Sequence, residues 1–202
     1  MKRNKKGVKK SNFLKENYSK SWKFIKESRN FIYVITSVFF CFALIGFFIP
    51  VPDYIAQEII KMIQEIVKKT EGLSQLALIK FIFFNNLQSS FFGIILGVFV
   101  GIFPLIFAAF NGYVLGFVAV LSVQAGGGEV LWKLLPHGIF ELPAIFIALG
   151  LGLRTGMLVL TQDKSKSFKD YLYEFVRIFI FVVVPLLIIA AIIEGSLLIL
   201  GR

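Results

Sequence analysis

The chain has 202 residues, of which 57% are hydrophobic and only 17% are charged. A soluble domain is typically about 45–50% apolar and about 25% charged, so this composition excludes a soluble enzyme, a disordered chain and a disulfide scaffold. The net charge of +10 is concentrated before residue 30, where eleven of the 22 lysines and arginines precede an apolar stretch. Such a basic arm is typical of the cytoplasmic face of a membrane protein, where it meets anionic lipid, and we expect no nucleic-acid partner.

Five apolar segments follow this arm of residues 1–30, most of them long enough to span a bilayer. We predict that residues 31–202 form an all-α membrane domain, a bundle of about five transmembrane helices. An amphipathic helix is predicted over residues 53–70, between the first and second spans, because apolar residues recur there at helical spacing among charged ones. It lies either on a membrane face or on the bundle itself. The predicted spans are residues 31–49, 81–110, 112–125, 136–153 and 175–193.

The boundary between the second and third spans depends on one turn signal. No charged residue occurs between Lys80 and Glu129, and Asn111-Gly112 is a typical turn dipeptide within that stretch. We therefore predict a tight turn at Asn111-Gly112, which leaves a short third span that ends in three glycines. Both a complete span and a re-entrant segment are compatible with this pattern.

The distribution of lysine and arginine predicts the orientation. With the N-terminus in the cytoplasm, the cytoplasmic side carries sixteen of these residues and the other side carries six. Positive residues are enriched in cytoplasmic segments. We therefore expect a multi-pass protein of the cell membrane, with a cytoplasmic N-terminus and an external C-terminus.

Small or polar residues recur every four positions along the second predicted span. A spacing of four keeps them on one helix face, where small side chains let another helix backbone approach closely in lipid. The approaching helix belongs either to the same subunit or to a second copy in a homo-oligomer. After Asn85, the residues of this predicted packing stripe are Ser89, Gly93, Gly97 and Gly101.

A pair of ionisable residues lies at membrane depth in the fourth predicted span. His137 and Glu141 are one helical turn apart and share a face, and Pro143 is expected to bend this helix. Ionisable residues at this depth usually face the interior of a bundle or an aqueous cavity. We expect them to form an intramembrane polar cluster with the asparagines of neighbouring spans, which are Asn85, Asn86 and Asn111.

Three interpretations of this cluster remain open. In the first, the cluster is structural and holds the helices in register. In the second, it is the ion- or proton-coupling site of a small transporter or channel. In the third, Glu141 is the base of an intramembrane hydrolase. The chain has one histidine and one cysteine, whereas zinc catalysis normally takes three protein ligands, so we expect no metal, no cofactor and no catalytic residue. A non-enzymatic membrane component is thus the leading prediction.

Several motifs of this chain occur together in one known family. They are Asn85-Asn86 ahead of a glycine-rich span, Asn111-Gly112-Tyr-Val-Leu-Gly116, Pro136-His137-Gly138-Ile139-Phe140-Glu141-Leu142-Pro143-Ala144, and the later Gly150 and Gly152. With these motifs, the chain resembles the stage II sporulation protein M family of integral membrane proteins, over roughly residues 30–200.

The resemblance implies a helical membrane protein of five or six spans without known enzymatic activity. In spore-forming bacteria such a protein acts with two partner proteins that degrade peptidoglycan during forespore engulfment, and other members occur in archaea and in organisms that do not sporulate. It therefore implies a protein that scaffolds or assembles a complex with membrane or envelope proteins. The process would be envelope remodelling in a spore former and is not known for an archaeon.

Overall fold

The computed structural model describes residues 5–49, 51–128, 135–161 and 168–200. Within these ranges the chain is almost entirely helical and contains no strand. Five segments are long and apolar enough to cross a membrane, which confirms the predicted all-α membrane bundle. In chain order the helices are α1 (Lys5–Glu27), α2 (Arg29–Phe48), α3 (Asp53–Thr70), α4 (Gln75–Val100), α5 (Phe103–Gly126), α6 (Leu135–Thr161), α7 (Phe168–Ile178) and α8 (Val184–Leu200).

The break between the second and third spans lies at Gly101. This glycine ends α4 with a φ of 52°, a conformation that residues with a Cβ rarely adopt. Asn111 and Gly112 lie inside α5, where the Asn111 amide donates to a backbone carbonyl one turn earlier. The predicted turn at Asn111-Gly112 is therefore wrong, and so are the predicted spans 81–110 and 112–125. The third span is a complete helix rather than a short or re-entrant segment.

The last span is longer than predicted because α7 continues into α8 through a short stretch of π-helix at residues 179–183. Pro185 follows this stretch and has no N–H to donate to the carbonyl one turn earlier. The Val184 N–H instead bonds to the Phe179 carbonyl, five residues back. The wider turn lets the helix continue past the proline, so that residues 169–200 form one apolar rod.

Helix α6 lies at the centre of the bundle and contacts α2, α4, α5, α7 and α8. One side of α6 carries the buried residues Ala144, Ala148 and Leu151, which pack with α8. Phe146 and Leu149 pack with α2 and α5 on another side. Close van der Waals packing of these side chains around α6 therefore holds the other membrane helices together.

The directions of the helices alternate across the bundle. Along α4 and α6 the contacts advance together, from Gly93 beside Leu149 to Gly97 beside Gly152, so these two helices run parallel. Helix α8 runs antiparallel to α4, since Ser196 near its end bonds to Gln75 at the start of α4 (3.1 Å). The bundle thus has two ends. The α1 end holds α1 and α7, and the α3 end holds α3 and the beginning of α4.

Helix α3 covers the predicted residues 53–70, but it makes little contact with the bundle. Ile59 is its only buried residue, and the apolar side chains of Tyr54 and Val67 are 71% and 55% exposed. An amphipathic helix with an uncovered apolar face is suited to a membrane surface. The structure therefore favours the membrane-face alternative over docking on the bundle.

Candidate functional site

One face of α4 points toward the other membrane helices. Its buried residues recur every three or four positions, which places them on one side of the helix. We call this side the inner face of α4. It consists of Leu78, Ile82, Asn86, Ser90, Gly93 and Gly97.

Asn86 brings a polar group from this inner face to α6. It is only 8% exposed, and its amide lies near the Glu141 carboxyl group. Glu141 points inward because it precedes the buried Ala144 and Ala148 by three and seven residues, on the same face of α6. The amide offsets part of the cost of removing the Glu141 carboxyl group from water.

A second carboxyl group approaches Glu141 from α8. Glu194 follows the buried Ala190 and Ala191 at helical spacing, and it lies close enough to Glu141 for the two groups to interact electrostatically. We call Asn86, Glu141 and Glu194 the inner polar cluster. Sequence reasoning missed Glu194 because a charged residue near the end of a span is usually interfacial. Its spacing from two alanines was the available signal, although alanines alone indicate an inward face only weakly.

The structure brings only part of the predicted polar cluster together. Asn85 is exposed and does not belong to the inner face of α4. Asn111 donates its side-chain amide to the carbonyl of Phe107 in its own helix (2.8 Å). The side chain of His137 lies outside the described residues, so its pairing with Glu141 stays a prediction. Helix α6 continues through Pro143, and the expected bend there also stays a prediction.

Gly97 lies where the backbone of α6 comes close to α4. A Cβ atom at Gly97 would lie 2.8 Å from the carbonyl carbon of Gly152 and 2.7 Å from the Cγ of Pro104, closer than real Cβ atoms come. At Gly93, a Cβ would lie 2.5 Å from the Leu149 side chain. These neighbours belong to helices of the same chain. Gly93 and Gly97 therefore pack within one subunit, and this contact does not require a second copy of the protein.

Two other members of the predicted packing stripe lie differently. Ser89 is partly buried beside the inner face of α4, and Gly101 ends the helix instead of extending it. Gly101 nevertheless lies against Gly156 of α6, because a Cβ atom added to Gly156 would collide with the Gly101 backbone. The contribution of the stripe to folding remains a prediction that a substitution tests.

Arg154 joins three parts of the α1 end. Its guanidinium donates to the Ser28 hydroxyl (2.6 Å) and lies 3.9 Å from the Glu27 carboxylate. The guanidinium carbon also lies 4.4 Å from the centre of the Phe24 ring and 5.4 Å from that of Tyr171. A planar guanidinium can stack on rings and donate hydrogen bonds at the same time. Arg154 therefore connects α6 to α7 and to the junction of α1 and α2, a role that charge counting does not reveal.

Arg177 reinforces the same end from α7. It is 7% exposed, pairs with Glu174 and lies 5.8 Å from the centre of the Tyr173 ring. Nearby on α1, the pKa of Glu16 is lowered because Lys20 donates a hydrogen bond to its carboxylate and attracts it electrostatically, with a smaller contribution from Arg177. Arg154 and Arg177 of this end are thus both engaged within the chain.

Comparisons with known proteins agree with the membrane architecture. The family described as Stage II sporulation protein M matches residues 35–197, which is more than half of the chain. An uncharacterized protein of Methanocaldococcus jannaschii is 27% identical over 173 residues, which is 83% of this chain and 77% of that protein. No solved structure matches the chain.

Proposed function

The chain belongs to the stage II sporulation protein M family, and we propose that this membrane protein is a non-enzymatic scaffold for a complex of membrane or envelope proteins. The inner polar cluster carries this proposal. Its side chains bring polar groups of α4, α6 and α8 together, with Asn86 and Glu141 at membrane depth and Glu194 nearer the membrane surface, and polar contacts between helices favour one register. A bundle held in one register presents fixed surfaces, which a scaffold needs in order to position its partners.

We further propose that the protein is multi-pass in the cell membrane, with a cytoplasmic N-terminus. The alternating helix directions support this arrangement, and so do the sixteen basic residues assigned to the cytoplasmic side against six on the other. Single cysteines at positions 5, 65 and 200 in a Cys41→Ser background test it in intact cells. We expect an impermeant thiol reagent to label positions 65 and 200 from outside, and labelling of position 65 only from the cytoplasm would contradict the topology.

The basic arm is proposed to bind anionic lipid at the cytoplasmic face. On α1, Trp22 is 59% exposed and the ammonium group of Lys26 lies 5.9 Å from the centre of its ring. Exposed lysines around a tryptophan are typical of a helix at a charged membrane surface.

The protein partners of the scaffold would be membrane or envelope proteins. They would act in envelope remodelling if the organism forms spores, and in a process that is not known if it is an archaeon. Self-assembly into a homo-oligomer remains part of the proposal.

Native purification tests the scaffold directly. The tagged full-length protein, extracted in a mild detergent, is expected to bring down the same membrane or envelope proteins in fixed stoichiometry, as measured by quantitative mass spectrometry. An unrelated five-span protein with the same tag is the control. A preparation that contains no protein above this control, in several mild detergents, would contradict the scaffold.

A transporter or channel is the second candidate, and the approach of Glu141 and Glu194 favours it. Two carboxyl groups that repel each other, one of them at membrane depth, are costly unless they share a proton or a cation, which is also how coupling sites in transporters are built. Glu141 does not line any of four cavities found at the surface of the described residues. The scaffold therefore remains the first proposal, and Glu141→Gln separates the two.

A further inference from the structure

A groove opens on the outside of the bundle at the α3 end, where the end of α3 meets the first turns of α4. Its volume is about 480 Å³. Two lysines, two aromatic rings and two side-chain amides line it, and the amides lie further along α4 than Lys80; we call the part beside the lysines its mouth. We call it the outer groove. The residues that define it are Lys69, Lys80, Phe81, Phe84, Asn85 and Gln88.

The amides of the outer groove have no partner within the described part of the chain. Asn85 and Gln88 are both exposed, and neither takes part in a side-chain hydrogen bond with another described residue. Both lie in a segment that is apolar enough to span a membrane. A polar amide in contact with hydrocarbon alone is strongly unfavourable, so these two amides favour an occupant of the groove that carries hydrogen-bonding groups at their depth.

The lysines of the groove also differ from their neighbours. Lys61 on α3 forms an ion pair with Glu58 (2.6 Å), whereas no ion pair within the described residues involves Lys69 or Lys80. The mouth of the groove is therefore positively charged. An occupant with negative charge at the mouth and hydrogen-bonding groups further in would complement this lining.

The depths of these residues match the layers of a lipid leaflet. The uncharged part of α4 begins at Phe81, so Lys80 marks the membrane surface. At a rise of about 1.5 Å per residue, Asn85 lies about 7.5 Å deeper and Gln88 about 12 Å deeper. The headgroup layer on each side of the hydrocarbon core is roughly 5–8 Å thick. Asn85 thus lies near the junction of headgroup and chains, and the longer Gln88 side chain can extend back toward it.

We propose that the outer groove binds a phosphate-bearing anionic lipid in the leaflet that faces α3. Lys69 and Lys80 bind the phosphate, Asn85 and Gln88 bond to the oxygens that link the headgroup to the chains, and a chain packs along Phe84. A second copy of the protein fits this groove poorly, because a symmetric contact would bring the lysines of both copies together. This lipid site is distinct from the basic arm, which lies at the other end of the bundle, and it does not depend on the scaffold role.

Quenching by brominated lipids measures occupancy of the groove itself and is insensitive to the basic arm. The full-length protein carries Trp22→Phe, Trp132→Phe and Phe84→Trp, so that the single tryptophan lies in the groove. It is reconstituted into mixtures of phosphatidylcholine and phosphatidylglycerol in which one lipid is brominated. We expect phosphatidylglycerol to bind beside the tryptophan about 25-fold more strongly than phosphatidylcholine, since each of the two lysines near the phosphate contributes roughly fivefold.

A pair of matched charge variants decides the outcome, provided that each retains its thermal unfolding transition. Adding Lys69→Gln and Lys80→Gln is expected to abolish the preference for phosphatidylglycerol. Adding Lys61→Gln and Lys68→Gln, which removes the same charge from α3 outside the groove, is expected to preserve it. Equal loss in both variants would show a general surface field and overturn the site. Absence of quenching by either lipid would show that protein covers the groove, which would also overturn it.

Discussion

The inner face of α4 and the outer groove differ in how their polar groups are satisfied. On the inner face, Asn86 is buried and meets the carboxyl group of Glu141 from α6. In the outer groove, the adjacent Asn85 is exposed and has no side-chain hydrogen bond within the described residues. Successive residues of a helix lie about 100° apart, so one amide supports the fold while its neighbour faces the surroundings.

The cationic residues show the same contrast. Arg154 is bound by a hydroxyl, a carboxylate and two aromatic rings at the α1 end. Lys69 and Lys80 lie at the mouth of the outer groove without an ion pair in the described chain. Polar groups that the chain satisfies itself hold the fold in place, whereas polar groups left open indicate contact with lipid or another molecule.

The largest expected effect comes from the close approach of α4 and α6. Gly97→Leu should lower the free energy of unfolding by about 3 kcal/mol or prevent folding, because the side chain would force the Gly152 backbone away. Leu96→Ala, on the exposed side of α4, should have little effect. Thermal unfolding in detergent and the yield of monodisperse protein measure both. Equal tolerance of the two changes would show that the inner face of α4 is misassigned.

Replacement of each of the two asparagines by leucine should give the next largest difference in stability. Asn86→Leu leaves the Glu141 carboxyl group without its amide partner and should cost about 1–3 kcal/mol. Asn85→Leu removes an exposed amide and should leave the unfolding temperature nearly unchanged. The two variants have the same composition, so each is the control for the other. A larger loss for Asn85→Leu would reverse the comparison of the two faces.

A smaller effect is expected at the α1 end. Arg154→Lys retains the positive charge but loses the planar group that stacks on Phe24 and Tyr171, which should cost about 1 kcal/mol. Lys80→Arg, the reciprocal exchange at the outer groove, should not change stability because no contact within the chain depends on its shape. Chemical denaturation in mixed micelles compares the two. An unaffected Arg154→Lys protein would show that stacking does not hold α6 to α7.

The sequence predicted the helical membrane class and the amphipathic helix at 53–70, because hydrophobic length and periodicity determine both. It misplaced the break between two spans. In an uncharged stretch, Asn111-Gly112 and Gly101 are both turn signals, and only packing against α6 decides between them. The sequence also does not distinguish the residues of α4 that face other helices from those that face lipid, because both faces of the helix are apolar. For this reason Asn85 was grouped with Asn86, whereas Glu194 was missed because a charged residue near the end of a span is usually interfacial.

Substitution of Glu141 tests most directly whether the inner polar cluster holds the bundle or carries a proton or ion. Glu141→Gln retains the shape and most of the hydrogen-bonding capacity, so a structural cluster should tolerate it, whereas Glu141→Ala should unfold at a lower temperature. Thermal stability, recovery of partners and complementation of a deletion strain are measured for both variants. The scaffold predicts a stable, assembled and active Glu141→Gln protein. A stable and assembled but inactive Glu141→Gln protein would contradict it and support coupled transport.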